Sequence, residues 1–430
     1  MIKKIEKNIR KNIGKKSLLM ASILALLFAA GCGKTQEAQN TDNTENTITE
    51  AVTEATESEA AKDEDETATE NEAMGTTTDA DKPDTGEIGV IENTEFGQIY
   101  IDLTNEEFAA LGFEYGDSVD ISFDNGKSVE NVPYHSGYYC QIGDLILCAY
   151  PGYPHVTLAR NFGDSTWEEF EVDENSKVRV TLNTRGAYKE NQELYSIKYS
   201  DDRNDYDSDE IFANFRAMKG GNIKENMFYR SASPCDSEHG RAIYSNALMK
   251  DAGVKYVLNL ADSKEEEMEY RNSGDYDTEY YENLADSGNV NFMNMNANFK
   301  DDGYSKTIAE AFYAMTEHEG PYLIHCMEGK DRTGFVCALI LALAGADRDE
   351  IVDDYMITFN NYYGITEESD PAKYNAIIST YLDSFLAHIC GVEDGSNVTQ
   401  EQLQTGAENY LKDGGLTDEQ IKEVVELINK

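Results

Sequence analysis

Positive charge is scarce in this sequence: 36 Lys and Arg stand against 82 Asp and Glu, a formal net charge of −46 over 430 residues. A body so acidic repels phosphate backbones instead of exchanging their counterions, which excludes a general nucleic-acid binder. It equally excludes docking on anionic lipid through a basic patch. Cysteine is sparse as well, with seven in the chain, too few for a disulfide scaffold of this length. The six His show no metal-ligand spacing. Nor does any apolar run reach across a bilayer: the stretch Leu18 to Ala30 falls short of the ~20 residues that a spanning helix needs. What remains is a globular balance, 40% hydrophobic and 27% charged. At about 150 residues per domain, the length admits two or three.

That apolar run follows a basic stretch, Lys3, Lys4, Lys7, Arg10, Lys11, Lys15 and Lys16, and ends in Ala29-Ala30-Gly31-Cys32. Together these are the pattern of a secretory signal over residues 1–31. The ending resembles the lipobox of bacterial lipoproteins, with Ala29 in place of the usual Leu. The resemblance implies lipidation of Cys32 and an extracytoplasmic protein anchored to the cell membrane; an ordinary signal-peptidase site beside a coincidental Cys is the alternative. Residues 32–86 read as a disordered acidic tether. Between Gln36 and Gly86 sixteen acids face Lys62 and Lys82, with no aromatic residue. Such a segment buries too little apolar surface to offset ordering, and self-repulsion extends it.

Residues 87–200 read as a small all-β accessory domain. Gln98 to Leu103, Ser118 to Phe123 and Lys177 to Leu182 alternate with period two, as half-buried strands do. Asp124-Asn125-Gly126-Lys127 is a hairpin turn. Gly126-Lys127-Ser128 is no nucleotide loop, because Ile121 stands where the first Gly of that motif belongs. The order of strands and glycines resembles the β-barrel domain that follows the catalytic domain of S-adenosylmethionine hydroxide adenosyltransferases. That catalytic partner is absent here, so its activity is not inferred. The tyrosines from Tyr134 to Tyr153 are core residues or a binding face, and Cys140 and Cys148 are a pair or two separate thiols. The acidic connector Asp201 to Glu210 offers no EF-hand register and reads as a solvated linker.

From 201 to 430 strands and helices alternate, which argues an α/β domain with a mostly parallel sheet. Expected helices cover Ala242 to Asp251, Ser305 to Glu317, Thr333 to Ala344, Arg348 to Phe359, Ala372 to Ile389 and Asp418 to Ile428; Cys337 within the third and Cys390 at the end of the fifth read as small buried hydrophobes. Val254 to Leu260 and Pro321 to His325 are buried strands. Between the second strand and the apolar helix lies His325-Cys326-Met327-Glu328-Gly329-Lys330-Asp331-Arg332-Thr333-Gly334. A short loop leaving a buried strand for a helix N-terminus presents backbone N–H groups and the positive end of the dipole, an anion site. The same surroundings favour a thiolate over a thiol.

This loop resembles the signature of the cysteine-dependent protein tyrosine phosphatase superfamily, and its Gly-Lys-Asp-Arg-Thr-Gly ending the bacterial branch acting on phosphotyrosine, phosphoserine or phosphothreonine, or phosphoinositides. Tyr229-Arg230-Ser231, Val257-Leu258-Asn259-Leu260 and Asp354-Tyr355 are similar to flanking pieces of that domain, so the likeness runs from Asn226 to Tyr363. It implies a parallel-sheet tyrosine-phosphatase-like domain over 201–430, behind the all-β domain and the tether. It further implies Cys326 as nucleophile, Arg332 as bidentate phosphate ligand, and the amides of Met327, Glu328, Gly329, Lys330 and Arg332 as anion donors. Thr333 would donate to the sulfur, and Lys330 would add charge. Asp331 is the implied general acid, with Asp301 and Asp302 as upstream alternatives or helix caps. Arg230 is a phosphate contact or an internal salt bridge, and His325 orients the loop.

The resemblance implies a metal-independent phosphomonoesterase without cofactor, its partners a phosphorylated protein or phosphoinositide and the membrane. The ligand of the β domain is open. A phosphoinositide or inositol-phosphate phosphatase is the close alternative. A non-catalytic phosphate-recognising surface lipoprotein is the distant one, and the joint presence of Cys326, Asp331, Arg332 and Thr333 argues against it. A ligand-binding or adhesion lipoprotein with an enzyme attached is a further reading.

Overall fold

The computed structural model describes residues 82–273 and 278–429. The signal segment, Cys32 and the tether as far as residue 81 lie outside the described residues. Among those described, no helix is long and apolar enough to cross a membrane.

The N-terminal half is a closed barrel. Its strands are β1 (Ile88–Asn93), β2 (Gln98–Ile101), β3 (Ser118–Phe123), β4 (Ser128–His135), β5 (Leu145–Cys148), β6 (Thr157–Arg160) and β7 (Lys177–Thr184). They close in the order β1-β2-β6-β5-β4-β3-β7. Neighbours run antiparallel except β4 and β5, which are parallel. Period-two patterning explains the closure: Ile99, Ile101, Val119, Ile121, Phe123, Val178 and Val180 all turn inward, while their neighbours face out. Closure leaves no open sheet edge. Gly126 makes the β3–β4 turn at φ +87°, a conformation that costs glycine little. Trp167, the one tryptophan of the chain, leans on the barrel core from the short helix Thr166–Glu169. Cys140 and Cys148 are both free thiols.

Two segments are more ordered than their composition suggests. Of the expected tether, residues 83–85 lie along β7, with Thr85 N–H donating to Val180 O at 3.0 Å and the carboxylate of Asp84 gripping Arg179. The acidic connector holds a 3-10 turn at Arg203–Asp205 and a helical turn at Asp209–Phe212. Asp201 in it pairs with Arg241 at 2.8 Å and with His239 at 3.1 Å. Charge density suggested solvation there, and these partners, 38 and 40 residues away, remove the reason for it.

The second half is mixed α/β. Strands β8 (Arg216–Ala217), β9 (Phe228–Ser231), β10 (Tyr256–Asn259), β11 (Val290–Phe292) and β12 (Tyr322–His325) form one sheet in the order β11-β10-β12-β9-β8. β12 lies between β10 and β9, parallel to both, and β8 alone runs antiparallel to its neighbour. All four residues of β12 are buried. The helix Asp331–Leu343 that follows is buried on every side from Arg332 onward, as its all-round apolar sequence demands. Around it pack the helices Arg348–Tyr363, Asp383–Cys390 and Gln400–Asp413. The expected helix from Ala372 to Ile389 is interrupted: Pro371–Ile377 and Asp383–Cys390 flank a π-helical turn at Ile378–Leu382. Cys337 is buried and Cys390 half-buried.

Candidate active site

The loop from Cys326 to Lys330 joins β12 to the helix Asp331–Leu343. Its shape is set by what happens to its carbonyls. The Cys326 carbonyl lies 3.3 Å from His325 Nδ1, and that of Met327 accepts from the Ser233 amide at 2.8 Å. The Glu328 carbonyl accepts from Tyr362 Oη at 2.7 Å and from Asn214 Nδ2 at 3.3 Å. That of Gly329 accepts from Arg230 Nη2 at 2.8 Å and Asn214 Nδ2 at 3.2 Å, and that of Lys330 from the Gly334 amide at 2.8 Å. With all five carbonyls tied to surrounding donors, the amides of Met327 to Lys330 donate to no acceptor among the described residues. Gly329 is required in this turn: its φ is +69°, and a Cβ there would lie 2.2 Å from Ser231 O.

The helix start is open too. Four helices elsewhere carry capping boxes, at Thr104 with Glu107, Asp347 with Glu350, Thr399 with Gln402 and Thr417 with Gln420, while those starting at Lys189, Ala242, Glu279 and Tyr304 carry no side-chain cap. The helix beginning at Asp331 has no side-chain cap. Its first-turn N–H groups and dipole are left for an anion.

Cys326 and Arg332 are both buried at this point, 3% and 7% exposed. Arg332 donates from Nη1 to Met295 O at 3.0 Å; a guanidinium has five donors, so most of its capacity stays open. The Thr333 hydroxyl is fully buried and has no hydrogen-bond partner. His325 is fully buried, and burial pushes its pKa down to about 3. It is therefore neutral, and a proton on Nδ1 bonds the Cys326 carbonyl while Nε2 accepts from Tyr281 Oη at 3.3 Å.

Lys330 Nζ sits 2.9 Å from Glu328 and 3.8 Å from Asp331. Burial works against its charge, but the Asp331 and Glu328 carboxylates outweigh it and hold the ammonium well above its usual range. Burial likewise works to raise Glu328, and Lys330 with the Tyr199 hydroxyl holds it low. The half-buried Asp331 goes the other way: burial, opposed by Lys330 and Arg332 and assisted by Glu328, lifts its carboxyl above the normal value.

Arg230 stands behind the loop, fully buried, with Nη1 on the Asp354 carboxylate and Nη2 on Gly329 O. Of its two expected roles, this is the internal salt bridge. Arg216 adds a second cation to the same carboxylate at 3.5 Å and grips Asn214 Oδ1 at 2.6 Å. Burial would raise Asp354; the two guanidinium groups override it and hold it below its usual range. Asp301 and Asp302 are exposed in the turn before the helix Tyr304–Met315, where Asp301 Oδ1 accepts the Gly303 amide at 3.1 Å.

Sequence reasoning missed Asn214, Arg216, Ser233, Tyr199 and Tyr362, which fix the loop from outside, and treated Asp354 only as a flanking residue. The one signal for them was the Asp354-Tyr355 pair within the resemblance. A two-residue strand such as β8 shows no periodicity to read.

The sequence model of the tyrosine phosphatase family matches residues 212–428. A tyrosine-protein phosphatase from Nostoc commune is 31% identical over 114 residues, which is 25% of this chain and 39% of that protein. The triple specificity protein phosphatase PtpB of Mycobacterium tuberculosis is 64% identical over 36 residues, 8% of this chain and 13% of that one. The chain thus spans less than two-fifths of the length of either relative. Among solved structures, the catalytic core of the PP-IP phosphatase SIW14 from S. cerevisiae is 21% identical, covering 41% of this chain and 94% of its own, with a TM-score of 0.24.

Proposed function

Since the chain belongs to the tyrosine phosphatase family, we propose that it hydrolyses phosphotyrosine and related monoesters through a phosphocysteine on Cys326. The observation that carries this reading is the loop itself, its carbonyls turned out and tied, its amides and helix start unfilled beside Cys326 and Arg332. Sγ of Cys326 attacks phosphorus in line, and the bond to the leaving oxygen breaks as Asp331 delivers its proton there. A carboxyl with a raised pKa suits that role. Arg332 takes two equatorial oxygens and the loop amides the third, so charge is met where it develops. Water then attacks the phosphocysteine, Asp331 takes up its proton, and inorganic phosphate leaves. The unpartnered Thr333 hydroxyl is available to the departing sulfur.

A monoester suits the local charge. Lys330 is compensated by Glu328 and Asp331, which leaves it little pull on a second phosphate. That disfavours multiply phosphorylated inositol headgroups. Hydrolysis of an aryl phosphate by the reduced full chain in EDTA, beside Cys326→Ser, tests the reading. Turnover that vanishes in the variant is expected, with phosphotyrosyl peptides preferred to phosphoinositides. A folded, reduced parent inert toward every monoester would overturn it. The proposed place of action, outside the cytoplasm on a lipid at Cys32, rests on the sequence alone. Palmitate labelling abolished by Cys32→Ser is its expected outcome, and unlabelled parent would remove it.

A further inference from the structure

The barrel touches the second half of the chain. Gln141, between β4 and β5, clamps the π-helical turn Ile378–Leu382 and the helix after it: Nε2 donates to Thr380 O at 3.1 Å, and Oε1 accepts from Ser384 Oγ at 3.2 Å. A π turn displaces the carbonyls and side chains of a helix locally, and such turns are frequent at functional sites. The side chain set by this one is Tyr381. Its ring meets that of Tyr195, at the end of the helix Lys189–Tyr195, at 5.1 Å and 62°. Tyr195 in turn stacks on Tyr139 of the barrel at 5.3 Å and 14°. Both Tyr195 and Tyr381 stay half-buried, and rings link Tyr381 toward the loop: it stacks on Phe359 at 6.3 Å, and Phe359 stacks on Tyr363 at 5.8 Å. On the Lys330 side, Tyr363 approaches Nζ at 3.4 Å and meets Tyr199 at 5.7 Å.

We propose that the barrel supplies part of the leaving-group subsite: Tyr195, backed by Tyr139 and the Gln141 clamp, forms with Tyr381 an aromatic wall beside Asp331 that receives the ring of an aryl phosphate. The inference rests on the phosphatase reading and deepens it. It assigns the barrel, which carries none of the loop residues, a share in choosing the substrate. Rings that present a face or an edge to another ring add selectivity for aromatic over aliphatic groups. Tyr195 and Gln141 are then positioning and specificity residues for the chemistry at Cys326 and Asp331.

The test uses the full chain with Cys326→Ser, so that binding is read without turnover. Calorimetry measures phenyl phosphate and ethyl phosphate, and the quantity compared is the ratio of their affinities. That ratio is expected to fall about three- to tenfold with Tyr195→Leu, and in the same direction with Gln141→Ala, which removes only the clamp. A purely structural role would change both affinities by one factor and leave the ratio alone. An unmoved ratio in folded variants therefore overturns the inference while the phosphatase reading stands. Should the parent bind neither phosphate, the phosphatase reading itself falls.

Discussion

In the barrel, buried polar side chains tie neighbouring segments one pair at a time. Asp117, with no exposed surface, accepts the amides of Glu114 at 2.8 Å and Gly186 at 2.9 Å and pairs with Arg185 at 2.6 Å. Thr166 donates to Leu158 O at 2.9 Å and accepts the Ile99 amide at 3.2 Å. Each ties segments that lie side by side in the barrel but 67 to 69 positions apart in sequence. In the phosphatase half, Arg230, Arg216, Asp354 and Asn214 converge from β9, β8, the helix Arg348–Tyr363 and the turn before β8 on one loop. Buried ions bring desolvation costs that apolar packing avoids. Concentrating them behind Cys326 places that cost where a fixed geometry matters, whereas the barrel's buried Asp117 meets an Arg185 that stays exposed to water.

The sharpest contrast is chemical. Cys326→Ser should lower turnover on the order of 10⁴-fold or more, while Cys148→Ala in the barrel core should leave the rate constant unaltered. Steady-state kinetics on the two purified variants decides it, and equal losses would break the division of labour. Next in size, Asp331→Asn should cost about 10²–10⁴ in rate. Because the acid acts in its protonated form, parent activity should fall as pH rises through the raised Asp331 pKa, and the variant should lack that limb. A limb that survives the substitution would move the role to Asp301 or Asp302.

Stability should show the same asymmetry. Asp354→Leu leaves Arg230 and Arg216 buried without a counter-ion and should cost about 3–5 kcal/mol, with activity lost as the loop loosens. Asp117→Ala in the barrel strands three donors and should cost about 1–3 kcal/mol. Denaturant titrations of both variants would rank them, and the reverse order would contradict the charge argument. Acid sensitivity should separate the halves as well. His325 and His135 are neutral in the fold, their pKa values pushed down to about 3 and about 4 from 6.5. The unfolded chain therefore takes up protons first, and both halves lose stability as pH falls below 6.5. The loss runs on to about 3 in the phosphatase half and ends near 4 in the barrel. Urea midpoints across that range would show the half that holds His325 falling further.

The contiguous parts of this architecture were legible in the sequence. The loop from Cys326 to Lys330 lies in one stretch between a buried strand and an apolar helix, and the barrel strands carry their period-two signature. The residues that hold the loop were not. Arg230 and Gly329 are 99 positions apart, and Arg216 and Asp354 are 138 apart. An isolated Arg or Asp reads as surface until folding supplies its partner. The ordered connector and the π turn escaped for a related reason: Asp201 is held by Arg241 and His239, and Tyr381 by packing against Tyr195, none of which local composition encodes.

The placement of Trp167 has an optical consequence. The chain's sole indole reports on the barrel, while the phosphatase half contains only tyrosines and phenylalanines among its aromatic fluorophores. Emission excited near the red edge of the absorption band thus follows one half alone, and far-ultraviolet dichroism is weighted by the helices of the other. A single protein, unlabelled, carries separate optical readouts for its two halves, so whether they melt together or in sequence can be seen as coincidence or separation of two curves from one cuvette.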